Sequence, residues 1–315
     1  MSPRAPDETV LPDDDARTLA VIRRRFSRTE RAIAAVAVAV GALFSVSEVS
    51  AHIEERAAKR RLAEHHELAS RALTAPQRAF VGRVEALAAG LAAPTWPGDL
   101  VTPGVGRRLA DPGVYLRVTQ PRATNGEELT RASEQSSKDA FVTCLLLGAA
   151  PSEEVEPSLC EPGTGCVGDR SGRLANFRTV ARGLAPFTAE WDTRAAAIST
   201  PLGIRLMDDD LAARVRDDLP AAQRAVDAAS YLLIVVDEVP EGTRMPWFST
   251  GLEAVQATPH PVRIGIFDAA TGAPLARLRR DANGRAVAGA SATHAVARQV
   301  QGCTLGLDVA SDLDR

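Results

Sequence analysis

The stretch YLLIVVDEV, Tyr231 to Val239, sets six apolar residues in a row ahead of an Asp-Glu pair. It is short for a helix and rich in β-branched and aliphatic side chains, so it reads as a strand buried on both faces. Working outward, GVYLRVT (113–119) reads as another strand and AFVTCLLLG (140–148) as a further buried one. PVRIGIF, DAATG and APLARLR read as a hairpin whose turn uses Gly272, free to take a positive φ. Between these lie helical patterns at 126–137, 174–183, 188–198 and 208–218. The last is opened by Asp208, Asp209 and Asp210, acids that suit a helix N-terminus. Pro220 suits the first turn of another helix, and the tail from Ala286 to Arg315 reads as partly helical. The mixture predicts α+β or α/β for residues 107–315, and no repeat period emerges.

The N-terminal third reads differently. Residues 1–14 are polar and Pro-rich and predict a disordered tail, and 15–31 predict a basic helix. Sixteen uncharged residues follow, from Ala32 to Ser47, before Glu48. As a helix they reach roughly 24 Å, against about 30 Å of hydrocarbon. Three readings compete: a retained anchor over 32–48, a cleaved signal peptide with small residues at Val49-Ser50-Ala51, and a buried helix of a soluble protein. The flanks favour the anchor. Arg23, Arg24, Arg25, Arg28 and Arg31 crowd one side, so the positive-inside rule keeps the N-terminus in the cytoplasm and exports the rest. Residues 49–92 then predict a helical stalk, with Pro76 starting a second helix whose Phe80, Val84, Leu87 and Leu91 share a face. The Pro/Gly-rich segment 93–106 reads as a linker before the exported domain.

Composition excludes some functions. Net charge is −3 and aromatics are 4% of the 315 residues, which argues against a nucleic-acid surface. Of 37 basic residues only Lys59 and Lys138 are lysine. Neither follows a glycine, so the Asp-Glu at the end of YLLIVVDEV lacks the phosphate loop that a nucleotide hydrolase requires. GVGRR (104–108) lacks the third glycine of a dinucleotide fingerprint, and His66 has Ser70, not His, four residues on. His65 and His66 read as a solvated helix face. Ser291 and His294 make only a fragment of a nucleophile motif.

Cys144, Cys160, Cys166 and Cys303 are an even set. Export predicts disulfides, with Cys160–Cys166 across the short CEPGTGC loop and Cys144–Cys303 as the favoured pairing of three possible. Cys144 as a free buried thiol is the alternative, and the spacing does not suit zinc. No cofactor or metal motif is complete. The expected protein is a single-pass inner-membrane protein, held by residues 32–48, whose exported domain binds or scaffolds envelope partners. The alternative is an exported hydrolase with a dispersed site built from Asp237, Glu238 and His260.

Overall fold

The computed structural model describes residues 28–124, 129, 132–133, 139–148, 173–239, 252–256, 258–283 and 294–314; the side chains of 28–31, 41–49, 51, 253, 254, 294, 295 and 297 lie outside that description. The expected tail over 1–14, most of the helix expected at 126–137, and Cys160, Cys166 and Ser291 fall outside the described residues. By internal contacts the chain divides into Met1–Ala57 and Ala58–Arg315.

The elements in chain order are helix α1 (Arg28–Arg71), α2 (Ala75–Leu91), strand β1 (Leu100–Val101), α3 (Val105–Arg108), β2 (Gly113–Thr119), α4 (Gln120–Ala123) and α5 (Ala140–Gly148). They continue with β3 (Leu174–Asn176), α6 (Phe177–Leu184), α7 (Ala189–Ala197), α8 (Pro201–Asp217), α9 (Leu219–Ala228), β4 (Tyr231–Asp237), α10 (Leu252–Gln256), β5 (His260–Asp268), β6 (Pro274–Ala282) and α11 (His294–Leu313).

In the first unit, Ile33, Val36, Val38 and Val40 of α1 are exposed at 65%, 62%, 73% and 44%. Among the described residues no helix is long and apolar enough to cross a membrane. The second half of the apolar run falls on 41–49, whose side chains are outside the described set.

The second unit is a mixed α/β domain. Among the described residues it holds one six-stranded sheet in the order β1-β6-β5-β4-β2-β3. β3, β2 and β4 run parallel, and β5, β6 and β1 are added antiparallel. Every residue of β2 and β4 is buried, because helices cover both faces. On one face, Val114, Leu116, Leu232, Ile234 and Val236 meet Phe80 and Val84 of α2, Val180 and Leu184 of α6, and Ala222 and Val226 of α9. On the other, Tyr115, Leu233, Val235, Ile264 and Ile266 meet Phe141 and Leu145 of α5 and Leu305 and Val309 of α11. Each such aliphatic side chain stabilises by about 1.5–3 kcal/mol. A smaller cluster joins Ala58 and Leu62 of α1 to Trp191 of α7 and Ile204, Met207 and Leu211 of α8.

Local signals account for most of the boundaries. Thr74 and Gln77 form a reciprocal capping box at the start of α2, which buries Phe80, Val84 and Leu91 as the spacing predicts. The hairpin β5–β6 also forms, with Gly272 at φ 74° and the Asp268 carboxylate accepting from the Ala270 and Thr271 amides at 3.1 and 2.9 Å.

Four expectations are corrected. AFVTCLLLG is helix α5, not a strand. A nine-residue apolar run carries no decisive period, and this one is started by Asp139, whose carboxylate accepts from the Val142 amide at 3.4 Å. Residues 174–176 are a strand, with Asn176 capping the helix that follows at 3.0 Å from the Arg178 amide. The helix expected from Asp208 starts at Pro201, because Thr200 caps it through the Gly203 amide at 3.2 Å. The three aspartates therefore sit inside α8, where Asp208 accepts from or pairs with His65 at 2.7 Å and Asp210 pairs with Arg214 at 2.9 Å. His66 is half-buried, not solvated. Its ring stacks on Trp191 at 4.5 Å, and its Nε2 lies 2.8 Å from the Pro186 carbonyl.

Helices α5 and α11 pack backbone against backbone. A Cβ on Gly306 would stand 2.5 Å from the Phe141 carbonyl oxygen and 2.8 Å from the Leu145 amide, and one on Gly302 would stand 3.1 Å from the Phe141 amide. Backbone meets backbone there, and only glycine fits. The Cys144–Cys303 disulfide, with Cα atoms 5.0 Å apart, joins the same two helices across 159 residues. Gly306→Ala is expected to cost about 1–3 kcal/mol through overpacking, read as a lowered urea midpoint. Ser311→Ala, on the exposed side of α11, is expected to leave the midpoint unchanged.

Candidate functional site

The strand order β3-β2-β4 has a consequence for where chemistry can sit. The chain leaves β2, crosses one face through α5 to β3, and returns to β4 through helices that include α6 and α9 on the other face. β2 and β4 are parallel neighbours, and the order in which strands are added reverses between them. In open α/β sheets the crevice at the carboxyl ends of such strands is the favoured place for a ligand.

Charged groups fill that place. Arg117 and Asp237 are on adjacent strands, both facing the α5–α11 layer, and their side chains are 4% and 0% exposed. Arg117 Nε and Nη2 donate to the two Asp237 oxygens at 2.8 and 2.6 Å, a bidentate pair, and its Nη1 donates to Asp139 at 2.7 Å. The Arg117 guanidinium lies 5.8 Å from the centre of the Phe141 ring. His260, at the start of β5, places Nε2 2.7 Å from Asp237 Oδ1 and Nδ1 2.7 Å from the Thr258 carbonyl. Gln301 of α11 donates to the same carbonyl at 2.8 Å. Side chains from β2 and β5 thus converge on the one carboxylate that ends β4.

Burial alone would push the Asp237 carboxyl up, but the Arg117 guanidinium and the His260 hydrogen bond hold it down at about 2. Arg117 is correspondingly raised well above its ordinary value: burial opposes its charge, and Asp237 and Asp139 more than restore it. The Tyr115 hydroxyl, which donates to Asp139 at 3.4 Å, is driven well above the phenol range, first by burial and then by the Asp139 charge.

The structure brings two of the three sequence-flagged residues together. Asp237 and His260 touch. Glu238, one residue on, faces the other side of the sheet, where Arg263 Nε donates to it at 2.5 Å and Arg279 Nε and Nη2 at 2.8 and 2.7 Å. Burial raises the Glu238 carboxyl, and the two guanidinium groups bring it below its ordinary value. The Trp96 ring has Arg263 and Arg277 within 5.6 and 5.7 Å of its centre. Arg117, Asp139 and Gln301 were not singled out from the sequence. The one signal for Arg117 is its position, a lone charge inside the apolar strand GVYLRVT, which requires a buried counter-charge.

The chemistry open to this cluster is narrow. Both His260 ring nitrogens lie against protein groups, Nε2 against Asp237 and Nδ1 against the Thr258 carbonyl and, at 3.4 Å, Gln301 Nε2, so neither is turned toward a nucleophile or solvent. Thr119 Oγ1, at the end of β2, and Gln301 Oε1 are buried without hydrogen-bond partners in the same layer. Among the described residues no group of three His, Cys, Asp or Glu side chains is placed to hold a metal ion. A cavity of about 590 Å³ lies elsewhere, at the β1 edge, bordered by Thr102, Leu278 and Asp314 and by Arg280, which bridges Asp99 and Asp312 at 2.5 Å each. Compared with protein-family models, with curated proteins and with solved structures, the chain matches none.

The low Asp237 value fixes a pH dependence. Because the unfolded carboxyl, near 3.8, binds protons more readily than the folded one at about 2, the stabilisation is complete above the ordinary carboxylate range. It is lost as pH falls from about 4 toward about 2, and is on the order of 2 kcal/mol. Denaturation midpoints measured across that interval should fall for the native chain and flatten for Asp237→Asn. Arg117→Met, which strands a buried carboxylate, is expected to cost about 3–5 kcal/mol at neutral pH, more than the double variant Arg117→Met/Asp237→Leu.

Proposed function

We propose that the chain is a single-pass protein of the inner membrane, with a cytoplasmic N-terminus and an α/β domain outside the membrane that binds or scaffolds envelope partners. The observation that carries this reading is the exposure of Ile33, Val36, Val38 and Val40 around α1. A helical stretch apolar on all sides needs an apolar surrounding, and a membrane would supply one. In sequence the run continues beyond Val40 as GALFSV, and the arginines before it orient it. The Cys144–Cys303 disulfide agrees with an oxidising compartment.

Binding is favoured over hydrolysis by the state of the buried cluster. A hydrolase using Asp237 and His260 needs a ring nitrogen facing a nucleophile or a water. Here both nitrogens are committed to Thr258 and Asp237 in a region closed to solvent, so the pair holds strands together. Glu238, tied to two arginines on the opposite face, is not positioned to work with them.

Expression of the full chain with a C-terminal tag tests the reading. The protein is expected to stay in the membrane fraction through alkaline extraction, and its tag to be digested by protease added outside the inner membrane. Val36→Arg/Val40→Arg is expected to release it to the soluble fraction. Full extraction of the unmodified chain, or a tag protected on the cytoplasmic side, overturns the proposal.

A further inference from the structure

The cavity at the β1 edge lies apart from the buried ion cluster. At about 590 Å³ it has the size of a small-molecule site. Its walls are β1 and the neighbouring part of β6, the loop that enters α3, and the carboxyl end of α11. Leu278 and Leu313, both buried, give it an apolar floor. Five charged side chains border it, and three of them are tied together: Arg280 pairs with Asp99 and with Asp312 at 2.5 Å each. The other two, Arg107 and Asp314, are opposite in sign and exposed. Among the described residues neither side chain makes an ion pair or a hydrogen bond, with the other or with anything else.

These two charged heads share one short stretch of wall. A Cβ on Gly104 would stand 3.5 Å from Arg107 Nη2, and one on Gly106 would stand 2.8 Å from Asp314 Oδ1. The guanidinium and the carboxylate therefore lie against glycines two residues apart without closing on each other, and a side chain at 106 would take the place of the carboxylate. The Leu313 carbonyl oxygen is 3.3 Å from the same point at Gly106. It belongs to the last turn of α11, whose final carbonyls have no partner within the helix and carry the negative end of its dipole. One corner of the cavity thus favours a cation, and the guanidinium beside it favours a carboxylate.

We propose that the cavity binds a free α-amino acid with an aliphatic side chain. Its carboxylate accepts from Arg107, its ammonium donates to Asp314 and the Leu313 carbonyl, and its side chain rests on Leu278 and Leu313. A simple anion would leave Asp314 facing it, and a simple cation would face Arg107, whereas a zwitterion satisfies both. Arg280, engaged by two aspartates, does not compete for the ligand's carboxylate. The site lies wholly within Ala58–Arg315, so it holds whether or not residues 32–48 enter a membrane.

Calorimetric titration of the full chain in nonionic detergent tests the site with three probes: L-leucine, N-acetyl-L-leucine, which lacks the ammonium, and L-leucinamide, which lacks the carboxylate. L-leucine is expected to bind saturably, and each analogue at least about tenfold more weakly. Arg107→Gln is expected to abolish the preference for leucine over leucinamide and keep that over the acetylated form. Asp314→Asn is expected to do the reverse. Both side chains are exposed, so both variants should keep the native unfolding midpoint. No saturable binding of L-leucine, an analogue bound as tightly as leucine by the unmodified chain, or variants that leave the order of the three probes unchanged overturns the proposal.

Discussion

The domain is organised around a single buried carboxylate. Asp237 ends the central strand β4 and accepts hydrogen bonds from Arg117 of β2 and His260 of β5, so it ties the parallel half of the sheet to the antiparallel half. A charge in that position is tolerable only because it is fully paired. Removing Arg117 would leave the Asp237 charge buried without its guanidinium, and the penalty for that exceeds what the pair contributes when intact. Arg117 reaches on to Asp139, whose carboxylate also starts α5, so the same network sets where the covering helix begins.

A second constraint lies one layer out. α5 and α11 approach so closely that a glycine at 306 is required, and the disulfide between Cys144 and Cys303 links them across more than half of the domain's sequence. α11 also supplies Gln301, which shares the Thr258 carbonyl with His260. α11 and the ion cluster are thus joined through the Thr258 carbonyl at the start of β5. A side chain at Gly306 should be felt at Asp237, although the two are far apart in sequence.

Much of this was legible in the residues. The apolar runs at 113–119 and 231–237 are strands, the turn at Gly272 closes a hairpin, and Asp237 and His260 stand out as polar residues beside apolar strands. The Cys144–Cys303 pair was also favoured by elimination once a Cys160–Cys166 loop was considered. AFVTCLLLG was misread because its apolar residues, buried against a sheet on one side and a helix on the other, leave no periodicity to distinguish helix from strand. The start of α8 was misread because three consecutive acids resemble a helix N-terminus more strongly than a lone Thr-Pro does. Two of those acids, Asp208 and Asp210, meet His65 and Arg214 instead.

The amino-acid sequence by itself determined which segments of the domain must avoid water: the central strands and the stripe of α2. That information is local, since it lies in side-chain polarity and spacing. Only the tertiary structure decided that Arg117 meets Asp237, that Glu238 turns to the opposite face, and that His260 has no free nitrogen. Strand pairing brings residues separated by 118 positions into register, so that Arg117 reaches Asp237, and a shift of one residue would send each of these charges to the other side of the sheet.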